Sequence, residues 1–219
     1  RSLVVAAGLI ERPYVFEGND LPGVMLSTAA RRLINLHSVR PGDRAVVLTA
    51  NPEGDAAVEE LRRAGVDVAA VVDARAGHTV IRARGRGQLQ SVELSTGQRV
   101  DADLLITAVG WTAPTSLLNM SGDKPYYEPR AARFLPGGTE EGVYAAGGIA
   151  GDGTVQQLID HGAAVGARAA AHGLTQRGQK IASAPTVSGD HDAVAQAELP
   201  DVTPLDVPQH PEVYRSTTH

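Results

Sequence analysis

No cysteine occurs among the 219 residues, which excludes structural disulfides, a cysteine zinc site, a thiol nucleophile and dithiol redox chemistry within them. The same lack makes a cytoplasmic setting the expectation. Nowhere does the chain hold the roughly 20 consecutive apolar residues that a spanning helix needs, so no membrane partner is expected. Positive charge is in deficit: 20 Lys and Arg against 25 Asp and Glu leave a formal net charge of −5. Such a chain has no general attraction to nucleic acid or anionic lipid, and no nucleic-acid partner is expected. Aromatic residues are only 4%, too few for a base-stacking platform. Glycine, by contrast, is abundant at 24 residues, which with the many alanines suits helices lying close on a sheet and tight turns. The 42% apolar and 21% charged fractions are those of a globular chain, long enough for one large domain or two small ones.

The chain opens Arg1-Ser2-Leu3-Val4-Val5-Ala6-Ala7-Gly8, with neither an initiator Met nor the ordered regions of a secretion signal. It reads as starting within a fold. Residues 3–6 form an apolar run ending in a glycine turn, as a short buried strand does. Pro13, Asn19, Pro22 and Gly23 mark a loop, and Ser27 offers an N-cap for a helix reaching Ile34. Next stands a βαβ pattern: strand 45–48, loop Thr49-Ala50-Asn51, helix 52–64, Gly65 as its stop, and strand 66–72 ending at Asp73. Asn51 suits the N-cap, Pro52 the first helical position, and Glu53 and Asp55 the positive end of the helix dipole. Ala57, Val58 and Leu61 would face the sheet.

Residues 79–108 read as a three-strand meander, with strands near 80–84, 89–94 and 104–108, and residues 125–138 as irregular. A last strand at 143–146 runs into Gly147-Gly148-Ile149-Ala150-Gly151-Asp152-Gly153 and then a helix to about His172. Thr154 with Gln157 makes a capping box. Val155, Leu158, Ile159, Gly162, Gly166 and Ala169 would form that helix's small-residue packing face. Beyond Gly173 the prolines 185, 200, 204, 208 and 211 imply an extended tail or linker.

A strand running through glycines into a helix offers free backbone N–H groups and a helix dipole to a pyrophosphate. Two junctions qualify. At 49–55 the glycine fingerprint is reduced to Gly54, and Glu53 and Asp55 would disfavour an anion by about 0.3–1 kcal/mol each. Asp73 stands where an acid would hold a ribose, or simply caps a turn. At 146–154 the glycines are richer and the helix is well capped, so this is the better site, against the alternative of a tight turn with no ligand. Among other candidates, His161 and His172 lie about 16 Å apart by helical rise, too far to share a metal, and are expected on the surface. Gly189-Asp190-His191-Asp192 reads as solvated linker, Arg82, Arg84 and Arg86 as a solvated hairpin, and Trp111 as packing. No metal site is expected.

Three elements occur in order: a strand into Ala7-Gly8, the stretch Ile106-Thr107-Ala108-Val109-Gly110-Trp111-Thr112-Ala113-Pro114, and Val143-Tyr144-Ala145-Ala146-Gly147-Gly148 before a small-faced helix. Together they resemble two-dinucleotide-domain flavoprotein reductases. Phe16-Glu17-Gly18-Asn19-Asp20-Leu21-Pro22-Gly23-Val24, Thr49-Ala50-Asn51, Ala64-Gly65-Val66 and Val71-Val72-Asp73-Ala74-Arg75 resemble, more narrowly, the α-subunit family of heterotetrameric sarcosine oxidases, over about residues 2–173. The resemblance implies an α/β fold: a three-layer Rossmann-like NAD(P)-binding domain with a β-meander, residues 24–111, inserted in a partial second dinucleotide-binding domain, residues 1–23 and 112–173, with the tail at 174–219.

It further implies a subunit of a multi-subunit flavoprotein oxidising sarcosine or a similar secondary amine, inactive as an isolated chain. NAD would lie on this subunit, and FAD and FMN on a flavin-bearing β subunit or its interface, with smaller subunits completing a hetero-oligomer. The family's N-terminal glycine fingerprint and C-terminal folate-binding domain have no counterpart in this sequence, so the chain could supply only half of the nucleotide site. The expected cofactor contacts are Ala7, Gly8, Gly147, Gly148, Gly151, Gly153 and Thr154. No residue is assigned a catalytic role. Gly148 stands where flavoprotein reductases place an Asp that accepts a ribityl hydrogen bond, and its loss, worth roughly 1.5–3 kcal/mol, favours NAD over FAD. A non-catalytic scaffold subunit of a related amine or cyanogenic dehydrogenase complex is the alternative.

Overall fold

The computed structural model describes residues 1–139 and 141–175; the expected tail from residue 176 onward and the 189–192 cluster lie outside them. In chain order the elements are β1 (Leu3–Val5), β2 (Ile10–Glu11), β3 (Val24–Leu26), α1 (Ser27–His37), β4 (Arg44–Thr49), α2 (Pro52–Arg63), β5 (Asp67–Asp73), β6 (Val80–Arg84), β7 (Ser91–Leu94), β8 (Arg99–Asp101), β9 (Leu104–Ala108), β10 (Trp111–Thr112), α3 (Ser116–Met120), β11 (Tyr126–Glu128), β12 (Arg133–Leu135), β13 (Val143–Ala145) and α4 (Val155–Thr175). The described chain divides into two compact units, residues 11–110 and residues 1–10 with 111–175. Among the described residues no helix is long and apolar enough to cross a membrane.

The 11–110 unit is three layers. Its middle is a parallel sheet in the order β3-β9-β4-β5, and the apolar runs of β4 and β9 are continuous because both of their faces are covered. Alternation decides which residue goes where. Ala45, Val47, Leu104 and Ile106 join Ala30 of α1 and Val58 and Leu61 of α2. Val46, Leu48 and Leu105 turn the other way, to Val80, Val92 and Leu94 of the antiparallel β6-β7-β8 sheet. Leu48 and Leu61 are fully buried, and each such side chain contributes roughly 1.5–3 kcal/mol. The third meander strand is therefore β8, not residues 104–108 as expected. The short β8 alternates exposed, buried and exposed, as a one-sided strand does, whereas β9, buried along its whole length, belongs between β3 and β4.

Both helix starts are defined by side chains. Asn51 accepts from Gly54 N at 3.1 Å with Pro52 in the first turn, as its sequence predicts. Ser27 is not the N-cap of α1. That position is Leu26, which has no capping side chain. The carboxylate of buried Glu11 takes over, accepting from Ser27 N at 3.2 Å, Ser27 Oγ at 2.5 Å, Thr28 N at 2.8 Å and the Thr28 hydroxyl. An acid sixteen residues upstream satisfies the orphan donors of the first turn, which no local pattern reveals.

The other unit is built on a parallel pair, β1 with β13, in the register Leu3↔Val143 to Val5↔Ala145. Val5, Ala113, Leu118 and Ile149 form its core. Residues 125–138, expected to be irregular, contain the antiparallel hairpin β11–β12, whose three-residue strands are too short to show a period. On α4 the buried residues are Val165 and Ala169, and Val155 and Ile159 are 77% and 58% exposed, so the expected packing face is only partly the one used. The helix is rich in alanine and apolar on most sides, so its periodicity does not select a face. His161 and His172 are half-buried rather than on the surface, with His172 Nδ1 3.7 Å from Glu141 Oε1 and its ring edge-on to Tyr144. Among the described residues no cluster of His, Asp and Glu could hold a metal ion.

Candidate functional site

The first strand-to-helix junction, β4 into α2, is filled by its own side chains. A Cβ on Gly54 would lie 2.3 Å from Thr49 Oγ1 and 2.9 Å from the Ala108 Cβ, so this glycine serves the packing of helix on sheet. Asn51 donates to Ala108 O at 3.1 Å while capping α2. Arg75 closes the mouth: its Nη1 and Nη2 each reach Asp55 at 2.9 Å, and its Nε and Nη2 reach Asp73 at 2.8 and 3.0 Å. Asp73 also caps the turn after β5, accepting from Arg75 N at 2.9 Å. Those bonds from Arg75 hold the Asp73 carboxyl below the ordinary range, and the two acids raise Arg75. The carboxylate positioned for a ribose is engaged within the protein, and the crevice presents two acids around one cation.

The second junction, β13 into α4, is arranged differently. Parallel pairing of β1 with β13 sets their C-terminal ends side by side, so the Ala7-Gly8 turn adjoins the Gly147-Gly148 turn. A Cβ built on Gly148 would stand 3.4 Å from Leu9 Cγ and 4.0 Å from Gly8 Cα. Gly8 and Gly147 take left-handed backbone at φ +66° and +72°, and no atom lies within 4 Å of where their Cβ would be. Open space beside two left-handed glycines lets a ligand approach the backbone closely. Ala7 is exposed, Gly151 buried and Gly153 half-buried against Gln157. The capping box forms as its spacing predicts: Thr154 N donates to Gln157 Oε1 at 2.7 Å and Gln157 N to Thr154 Oγ1 at 3.3 Å. Among the described residues the N–H groups of Gly151 and Gly153 donate to no protein acceptor.

One participant escaped sequence reasoning. Arg133 of β12 is 6% exposed, and its Nη2 lies 2.7 Å from Oδ1 of Asp152, the acid within the glycine turn. A single arginine in a proline-flanked stretch carries no sequence signal; only its burial singles it out.

Helices over a parallel sheet backed by a meander, joined to a second strand–glycine–helix unit, define the Rossmann-like fold of the FAD- and NAD-dependent oxidoreductases. The fold is shared with L-proline dehydrogenase from P. horikoshii (TM-score 0.68, 24% identity, 82% of this chain and 35% of that one). Thioredoxin reductase from Lactococcus lactis is a more distant likeness (TM-score 0.55, 16% identity, 80% of this chain and 66% of that one).

In sequence, the chain is a relative of sarcosine oxidase subunit alpha. It is 33% identical to that subunit from Rhizobium meliloti (strain 1021) over 178 residues, covering 74% of this chain and 18% of the relative. With the subunit from Corynebacterium sp. (strain P-1) it shares 33% identity over 218 residues, covering 86% of this chain and 22% of the relative. The chain thus spans about a fifth of the length of the relatives it matches. No protein-family model matches it.

Proposed function

We propose that this chain is the nucleotide-binding part of the α subunit of a multi-subunit flavoprotein that oxidatively demethylates sarcosine or a similar secondary amine, giving glycine, hydrogen peroxide and a one-carbon unit. The observation that carries the reading is the pair of adjoining glycine turns, Gly8 and Gly147-Gly148, with open space at both left-handed residues. NAD+ is the nucleotide assigned to it; bound there, it would supply a hydride acceptor. The residues present fit its pyrophosphate. Gly8 and Gly147 admit the phosphates to the backbone, Gly148 keeps the approach clear, Gly151 and Gly153 contribute N–H donors, and Thr154 anchors the helix start behind them. Gly148 offers no carboxylate to a ribityl chain, which weighs against FAD on this subunit and leaves FAD and FMN to a β subunit or its interface.

In this reading residues 1–23 and 112–173 are part of the first dinucleotide domain and residues 24–111 the inserted one. Leu3 and Val4, 48% and 40% exposed on a two-stranded parallel pair, support a partial domain, since parallel sheets are ordinarily covered on both faces. Titration calorimetry with NAD+, on the chain joined to its family's N-terminal glycine-fingerprint segment, tests the proposal through the variant Gly148→Asp, whose Cβ has room beside Leu9. A carboxylate at that point should weaken NAD+ about tenfold, the cost of roughly 1.4 kcal/mol of repulsion. Unchanged NAD+ affinity, or tight FAD binding by the unsubstituted chain, would reject the assignment. The filled β4–α2 crevice favours a second reading, a non-catalytic scaffold subunit, and copurification with a flavin-bearing chain but without nucleotide binding would select it.

A further inference from the structure

Two arginines stand at the two strand-to-helix junctions, and they differ in one respect. Arg75 uses its Nε, Nη1 and Nη2 on Asp55 and Asp73. Arg133 is more deeply buried, yet its Nε and Nη2 have no hydrogen-bond partner among the described residues. The 2.7 Å approach of Nη2 to Asp152 Oδ1 is an ion pair without hydrogen-bond geometry. A guanidinium carries five fixed N–H donors, and buried donors left unmade call for an explanation. Asp152 has a side chain 31% exposed, so it can turn to solvent while Arg133 cannot.

We propose that Arg133 is the phosphate ligand of the Gly147–Gly153 turn, with Asp152 as a resting counter-ion that the phosphate displaces. The guanidinium fork matches two phosphate oxygens in one plane, and the glycine N–H groups take others. The ligand class is a nucleoside diphosphate or dinucleotide, recognised through its pyrophosphate. This inference rests on the nucleotide-binding reading above and adds to it the cation that the glycine loop lacks.

Calorimetric titration with NAD+, ADP and adenosine tests it on this chain joined to its family's N-terminal glycine-fingerprint segment, which completes the nucleotide site, using the unsubstituted protein, Arg133→Met and Asp152→Asn, each checked for its circular dichroism. Arg133→Met should weaken ADP and NAD+ by about tenfold or more, the scale of a charge-assisted hydrogen bond, and leave adenosine unchanged. Asp152→Asn should tighten ADP severalfold by removing the competing carboxylate. If Arg133→Met does not fold, Asp152→Asn decides alone: tightening upholds the proposal, and unchanged or weaker binding overturns it by making the pair a structural tie. ADP affinity unaltered by Arg133→Met, or equal losses for ADP and adenosine, would also overturn it. Absence of NAD+ and ADP binding by the unsubstituted protein with that segment present instead rejects the nucleotide-binding reading itself, and this inference with it.

Discussion

Glu60 of α2 shows how a single residue couples this fold to pH. Its carboxylate accepts from Arg31 Nε and Nη2 at 3.1 and 2.9 Å and from Asn35 Nδ2 at 2.7 Å, and the Arg31 bonds foremost hold it below the ordinary carboxylate range. The folded state therefore binds a proton at Glu60 less readily than the unfolded chain does. The stability this gives is complete above the ordinary Glu pKa of about 4.3 and is lost as pH falls through the lowered folded value. Glu60→Gln should cost about 1–3 kcal/mol at pH 7 and flatten the acid limb, so urea midpoints of the two proteins should converge as pH falls through the lowered folded value; parallel pH curves would refute this. Gly54 supplies a second test at the same scale. Its missing Cβ would press on Thr49 Oγ1, and Gly54→Ala should destabilise by about 1–3 kcal/mol through overpacking, visible as a lowered Tm. An unchanged Tm would show that the packing there is looser than described.

Among the elements, those with local causes were legible in the sequence. Asn51 with Pro52, and Thr154 with Gln157, carry their own capping partners within three residues, so spacing alone places α2 and the start of α4. Whatever depended on distant residues was not legible. Glu11 displaces Ser27 as the cap of α1, β9 leaves the meander for the parallel sheet, and Arg133 becomes a site residue only through burial. On α4, alanine and glycine blur the hydrophobic stripe, so the sequence could not say that Val155 faces outward. A pair of substitutions checks the faces: Leu61→Ala on α2 should cost about 2–5 kcal/mol, whereas Val155→Ser should change stability by no more than about 0.5 kcal/mol. A large loss from Val155→Ser in the isolated chain would contradict the exposure of that turn.

Across the whole molecule, the two strand-to-helix junctions differ in what occupies them. At β4–α2 the positions that a Rossmann-like unit could give to pyrophosphate and ribose are engaged by Asn51, Asp55, Asp73 and Arg75. At β13–α4 the glycines are open and a buried cation stands behind them. The contrast between these junctions was legible from composition, because one is flanked by acids and the other rich in glycine; the ion network that fills the first was not, since it joins Arg75 to an acid twenty residues away. The most direct test is hydrogen–deuterium exchange of the full chain with and without NAD+. Slowed exchange at residues 7–8 and 147–154, with residues 49–55 and 73–75 unchanged, is the predicted result; protection at 49–55 with none at 147–154 would contradict it.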